Sequence, residues 1–539
     1  MRFRQVAWPL GFALFAILGY WLASWTLPAP PADRTRATDT GQVTGARRAM
    51  DEDPVRFRRE NRPPTRNGDA AAKAAGALEG QRILMFGDAD AMARFLARMG
   101  DGVKLLGRLD ALNALRVGFD DYGDLAGLLD ETEEGFIFPV FVPTPPEGTV
   151  QSGAVALGDG LHEWLGITGD NSTWGRGVTV AVLDTGVEAH SAFSSNIRTL
   201  DLNGNGVADP NGHGTAVASV IIGGDPLTPG VAPGADLLAV SVADANGNSD
   251  SFLLASGIIA AADAGADLIN ISMSSFGDSG LVRRAIEYAR AAGALIVAAA
   301  GNNGIEGVSY PAANEGVIAV GAVDALGNHL DFSNRGTELS VSAPGYGLNT
   351  AWTGGQAASM SGTSFSAPVV TGAIAAIMTE FGNGKLSASQ AWDKLSSYLN
   401  DAGEAGKDVS LGAGMPDIGR VLNSNTRGIY DAAVASNRII PPDAGIPYGA
   451  VEVLVQNRGT ETLINTTVEV TVAGKKVSSN ITSLAPNAVR TVRVPVANPP
   501  SPNSSTLKVD SRVLLTTGGA DAKPSNNRRA ETYVAAGSN

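Results

Sequence analysis

Val178-Thr179-Val180-Ala181-Val182-Leu183-Asp184-Thr185-Gly186 is the stretch on which the fold turns. Its first six residues form an unbroken run of apolar and β-branched side chains. Such a run suits a strand buried on both faces of a parallel sheet, since a strand with one wet face would alternate. Asp184 then stands at the carboxyl end of that strand, the edge at which open α/β sheets collect ligands.

Further along, Asn211-Gly212-His213-Gly214-Thr215-Ala216-Val217-Ala218-Ser219 sets an imidazole between two glycines at the start of a small-residue helix. The glycines allow backbone to approach the ring closely. The chain has four histidines, and His162, His190 and His329 have no comparable setting. Ala294 to Ala300 reads as another buried strand and runs into Gly301-Asn302-Asn303-Gly304. Met360-Ser361-Gly362-Thr363-Ser364-Phe365-Ser366-Ala367-Pro368 leads into an apolar helix from Val369 to Met378. Ser364 therefore falls at a helix N-terminus, where unpaired N–H groups and the dipole favour developing negative charge. Singly, these motifs are weak. Asp-Thr-Gly also surrounds the catalytic aspartates of aspartic proteases, a lone histidine is commonly structural, and a serine before a helix is commonly an N-cap.

Together and in this order they resemble the subtilisin-like serine proteases, or subtilases, over roughly 160–424. Asp184, His213 and Ser364 follow that family's Asp-His-Ser order at separations of 29 and 151 residues. Asn302 stands between the last two, where the oxyanion asparagine belongs. The resemblance implies that Ser364 attacks the scissile carbonyl, His213 carries the proton to the leaving amine, and Asp184 orients the imidazole. Asn302 and the Ser364 backbone N–H would hold the oxyanion. It also implies that Ser272-Met273-Ser274 forms one substrate-binding edge and Val242-Ala243-Asp244 the facing edge, the peptide adding as a strand. Ala299, Ala300 and Gly301 would line a wide, uncharged first pocket that favours an apolar side chain before the cleaved bond. Ala216, Ser219 and Phe365 depart from the family's usual residues, and none replaces a triad group. The expected fold class is α/β: a subtilisin-like parallel sheet flanked by helices, preceded by a small α+β domain and followed by an all-β sandwich.

Asp201-Leu202-Asn203-Gly204-Asn205-Gly206-Val207-Ala208-Asp209 places oxygen side chains at alternate positions, as calcium loops do. Asp201, Asn203, Asn205 and Asp209 are therefore candidate ligands of a structural calcium. The segment is equally readable as a Gly/Asn turn, and it lacks the glutamate that completes an EF-hand. Asp244 to Asp250 has similar spacing and reads as a turn. Catalysis by the triad needs no cofactor.

Residues 1–32 read as an export segment: Arg2 and Arg4 precede an apolar run from Val6 to Leu27, closed by Pro28-Ala29-Pro30-Pro31. At about 20 residues the run suits either a cleaved signal peptide or a membrane anchor. Residues 33–80, with clustered arginines and Pro63-Pro64, read as a disordered linker. From 81 to 146 the pattern is β-α-β-β-α-β, with a last strand over Phe136 to Val142. By the family resemblance this is a propeptide-like domain that assists folding and occupies the cleft as an intramolecular inhibitor, with cleavage within 143–160. The peptidase domain is placed at 147–424. In 446–535, alternating runs such as Val451-Glu452-Val453-Leu454-Val455 and Val468-Glu469-Val470-Thr471-Val472 argue a β-sandwich resembling CARDB-type modules.

Composition narrows the function. The 539 residues contain no cysteine, which removes disulfides, thiolate metal sites and cysteine nucleophiles. The formal charge is −14, and residues 81–539 carry 28 basic against 46 acidic side chains, so nucleic acid is excluded as a general partner. The sequence thus reads as an exported serine endopeptidase made as a zymogen, acting on polypeptides at the outer face of the membrane, in the periplasm or outside the cell. The alternative is an inactive surface binding protein with a protease-like domain.

Overall fold

The computed structural model describes residues 66–534 apart from short segments at 130–131, 146–152, 194–195, 205–208, 382–383, 443–448, 497–505 and 517. The expected export segment lies outside the described residues. Among the described residues no helix is long and apolar enough to cross a membrane.

The N-terminal unit has β1 (Gln81–Phe86), a helix at Ala89–Arg98, β2 (Val103–Leu109), β3 (Ala114–Phe119), a short helix at Tyr122–Ala126 and β4 (Thr132–Gly135). They form an antiparallel sheet in the order β2-β3-β1-β4. Met92 and Phe95, one turn apart on the helix, close a small core with Leu84, Phe86, Leu115, Val117 and Leu125. Two expectations need correction. A helix occupies Arg66–Ala74, inside the stretch read as linker, because its alanines favour helix and Ala72 is buried. Phe136 to Val142 is not the unit's last strand. β4 fills that place, and β5 (Pro139–Phe141) leaves the unit to pair elsewhere.

The central sheet consists of β6 (Thr179–Asp184), β7 (Ile197–Asp201), β8 (Asp236–Ser241), β10 (Leu268–Ile271), β11 (Leu295–Ala299), β12 (Val317–Val323) and β13 (Val341–Pro344), with β9 (Asn248–Asp250) lying outside it. All seven are parallel in the order β13-β12-β11-β10-β6-β8-β7. Alternate residues of β6 serve different cores. Val180 and Val182 face the helices His213–Ile222 and Thr363–Glu380. Ala181 and Leu183 face the helices Ser251–Asp263 and Gly280–Ala291. Ile83, Met85, Ala114 and Ile137 of the N-terminal unit join this second core, so the two units share one apolar interior. Arg116 adds an ion pair across the junction, 2.6 Å from Asp250, which also caps the helix Ser251–Asp263.

Two antiparallel sheets follow, one of Ala432–Ile440, Ala450–Asn457 and Val489–Pro495, the other of Leu463–Val472, Lys475–Leu484, Thr506–Leu514 and Arg528–Val534. Their inward side chains form one core. The sandwich begins at Ala432 and not at 446, because Ala-Ala-Val-Ala-Ser carries no alternation to announce a strand.

Arg420, on the helix Ile418–Leu422 of the peptidase part, crosses the seam. Its Nη1 donates to the carbonyls of Tyr398 and Leu399, while Nε and Nη2 donate to Arg458 O and Asn487 Oδ1 of the sandwich. Burial, with Arg458 close by, lowers its pKa to about 10.

Candidate active site

β6 delivers Asp184 to the sheet's carboxyl edge, and the helix His213–Ile222 presents His213 from its first position. Asp184 Oδ1 lies 2.8 Å from His213 Nδ1 and also accepts the Thr185 N–H at 2.8 Å. Gly214 is required by this close approach: a Cβ there would sit 1.9 Å from the Gly186 carbonyl oxygen. The Phe365 ring lies 5.3 Å from the imidazole, a contact that gives this residue a packing role against His213.

Ser364 sits in the first turn of the helix Thr363–Glu380 and is fully buried, with Asp184, His213 and Asn302 at 0%, 5% and 1% exposure. Its hydroxyl donates to the Ser272 carbonyl at 3.2 Å, and His213 Nε2 is buried without a partner. The Ser272 hydroxyl in turn donates to the Ser364 carbonyl at 2.7 Å, and Asn270 Nδ2 donates to that hydroxyl. Asn302 Oδ1 accepts both the N–H and the hydroxyl of Thr363 at 2.8 Å, which aims Nδ2 at the Pro143 carbonyl oxygen, 2.6 Å away. The amide is thus oriented by a residue that sequence reasoning passed over, although Thr363 immediately precedes Ser364.

The cleft is filled by the chain's own residues 139–145. β5 runs antiparallel to β9, pairing Pro139, Val140 and Phe141 with Asp250, Ser249 and Asn248. On its other side Phe141 exchanges two 2.9 Å hydrogen bonds with Ser274, while on the β9 side Val142 N–H donates to Gly247 O. Ser272 to Ser274 therefore lie along the edge expected of them, with Met273 turned into the core. The facing edge is corrected from Val242-Ala243-Asp244 to Gly247–Asp250. Val242 and Ala243 are buried and donate their N–H groups to the Asp184 carbonyl, while Asp244 closes the turn before β9. Ala299, Ala300 and Gly301 are buried at the end of β11, directly before Asn302. Gly301 has φ 105°, and a Cβ there would meet Asn334 and Ser309 at 2.5 Å.

Asp209 is likewise corrected. Its buried carboxylate accepts hydrogen bonds from Thr185 Oγ, Gly212 N, Thr215 N and Thr215 Oγ at 2.7 to 2.8 Å, so it braces the loop around His213 and has no lone pairs left to gather a cation. Asn203 turns its Nδ2, a donor, toward Ser241 Oγ, Asp201 Oδ1 accepts the Gly204 N–H, and Asn205 lies outside the described residues. This donor set does not fit a calcium loop. Among the described residues no group of three or more His, Asp or Glu could hold a metal ion.

Comparison with known proteins finds relatives over this part of the chain. The Subtilase family model matches residues 175–414. The thermostable alkaline protease of Halalkalibacterium halodurans is 40% identical over 218 residues, covering 39% of this chain and 58% of that protein, so the match spans little more than half of its length. Subtilisin DY of Bacillus licheniformis is 37% identical over 239 residues, 43% of this chain and 86% of that protein. Among solved structures, Sphericase aligns with a TM-score of 0.44 at 31% identity, covering 48% of this chain and 97% of that one. Matched over most of a subtilisin's length, the chain belongs to the subtilase family of serine endopeptidases.

Proposed function

We propose that this subtilase is exported, made as a zymogen, and hydrolyses polypeptides through Asp184, His213 and Ser364. One observation carries the reading: the chain's own segment 139–143 lies in the cleft as an added strand, with the Pro143 carbonyl 2.6 Å from Asn302 Nδ2. A peptide bound in this way presents its carbonyl to the group that would stabilise a tetrahedral oxyanion. In turnover Ser364 Oγ adds to the carbonyl carbon, and His213 Nε2 takes the hydroxyl proton and gives it to the leaving amine. Water then releases the acyl group by the same path in reverse. Asp184, bonded to Nδ1, holds the ring and stabilises its charged form. The 81–135 unit and its tail act as the intramolecular inhibitor, a role supported by the apolar interior they share with the peptidase part. Export is supported by Arg2, Arg4 and the Val6 to Leu27 run.

The test compares the full chain with Ser364→Ala by intact mass over time and by fluorophosphonate labelling. Shortening and labelling of the parent alone support the reading. A folded parent that stays unlabelled, even after an external protease removes residues before about 160, leaves the inactive binding-protein reading in its place.

A further inference from the structure

The tail that fills the cleft carries a proline at the one position where its backbone N–H matters most. Phe141 and Ser274 exchange both N–H···O bonds, so they are a hydrogen-bonded antiparallel pair. Two residues along, the same register sets position 143 opposite Ser272, and the next N–H should donate to the Ser272 carbonyl. Pro143 has no N–H to give. The Ser272 carbonyl instead accepts the Ser364 hydroxyl at 3.2 Å, and His213 Nε2, the group that must take that proton, is left buried without a partner. Asn302 meanwhile already holds the Pro143 carbonyl oxygen. The electrophile is in place and the nucleophile is turned away from its base.

We infer that Pro143–Thr144 is the bond this zymogen cuts in itself, and that Pro143 delays the cut by leaving Ser272 free to hold the Ser364 hydroxyl. The inference rests on the peptidase reading above. In the reaction, Ser364 Oγ leaves the Ser272 carbonyl and bonds to the Pro143 carbonyl carbon as its proton passes to His213 Nε2. The Pro143–Thr144 C–N bond breaks, and Thr144 departs as an amine with the proton from His213. A water molecule then hydrolyses the acyl-Ser364 ester, leaving Pro143 with a carboxylate and Ser364 with its hydroxyl. A residue with an N–H at 143 occupies the Ser272 carbonyl itself and returns the Ser364 hydroxyl to His213. One hydrogen bond of this kind corresponds to an acceleration of about tenfold.

The test follows intact mass and the new N-terminus in full-length parent, Pro143→Ala and Pro143→Phe, each also in a Ser364→Ala background. The two substitutions differ in size and share the restored N–H. The expected result is a new N-terminus at Thr144 in all three active chains, formed about tenfold faster in both variants and absent without Ser364. Equal or slower conversion in both variants, a new N-terminus elsewhere, or shortening that persists without Ser364 overturns the inference. If no chain shortens, forms freed of residues 1–145 by an external protease separate the two readings. Hydrolysis of a peptide substrate by those forms means the prolyl delay is wrong and the peptidase stands, while inert freed forms bring down the peptidase reading and this inference with it.

Discussion

Thr363 holds Asn302 by its amide oxygen with two donors, N–H and hydroxyl, each at 2.8 Å. The grip fixes which end of the amide meets the Pro143 carbonyl. Thr363→Val keeps the backbone donor and the side-chain shape while removing the hydroxyl. Peptidase kcat should fall about tenfold with KM little changed. Asn302→Ala should cost about 10²–10³, the loss found for the corresponding donor in subtilisin itself. In the Asn302→Ala background the Thr363 change should cost almost nothing further, because both act through one group. Additive losses would mean that Thr363 acts by another route.

Asp209 is a brace beneath the imidazole. Asp209→Ala leaves four buried donors without their acceptor, and the folded state should lose about 3 kcal/mol, read as a drop in Tm. A chelator should shift the Tm of parent and variant equally. A chelator effect seen in the parent and lost in the variant would restore Asp209 to the ligand list.

Two buried groups give opposite dependences on acid. Burial, with Arg335 nearby, lowers the His329 pKa to about 4, so the native state resists a proton that the unfolded chain accepts near 6.5. Stability from this group is full above about 6.5 and is lost as pH falls toward 4, amounting to about 3 kcal/mol. Burial raises the Asp401 pKa to about 6, and its contribution runs the other way, full below about 4 and lost as pH rises to 6. Denaturation midpoints between pH 4 and 6.5 should therefore fall more steeply on acidification in Asp401→Asn than in the parent, and less steeply in His329→Gln. Parallel profiles for all three chains would remove both assignments.

Arg420 is a structural tie between peptidase part and sandwich. Arg420→Met strands the Tyr398 carbonyl, Asn400 Oδ1 and Asn487 Oδ1 at the seam, while the Leu399 carbonyl keeps its bond from Gln456 Nε2. Stability should fall by about 3 kcal/mol, and calorimetry should resolve two unfolding transitions where the parent gives one. One unshifted transition would show the seam held by other contacts.

The sequence disclosed what local pattern encodes. The apolar run before Asp184 announced a doubly buried strand, and the helical spacing of Met92 and Phe95 announced the helix of the N-terminal unit. Asp184, His213, Asn302 and Ser364 were singled out by their order and spacing, which resemble the subtilase pattern; their settings taken singly decided nothing, and the structure brings Asp184 and His213 within 2.8 Å. The facing cleft edge, placed at Val242-Ala243-Asp244 by the family resemblance, was off by a few residues: Val242 and Ala243 are buried behind Asp184. Register between β5 and β9 is a tertiary property, written in no local period. The same holds for Asp209, whose alternating oxygens resemble a cation loop until the donors around it are known. The first sandwich strand was missed because Ala432 to Ala435 is buried without interruption and so lacks the alternation by which half-wet strands are recognised.

Arg529, on the strand Arg528–Val534, reaches out of the sandwich to Asn328 Oδ1, 2.6 Å away and 201 residues earlier in the chain. Synthesis runs from the N-terminus, so the ribosome makes every residue of the cleft before it makes this one. The peptidase part emerges first, next to the segment 139–145 that lies in its cleft, and gains its contacts with the sandwich later. A chain ended before residue 528 would keep the Arg420 ties to Arg458 and Asn487 and lose this one, so the support at Asn328 arrives only with the strand Arg528–Val534.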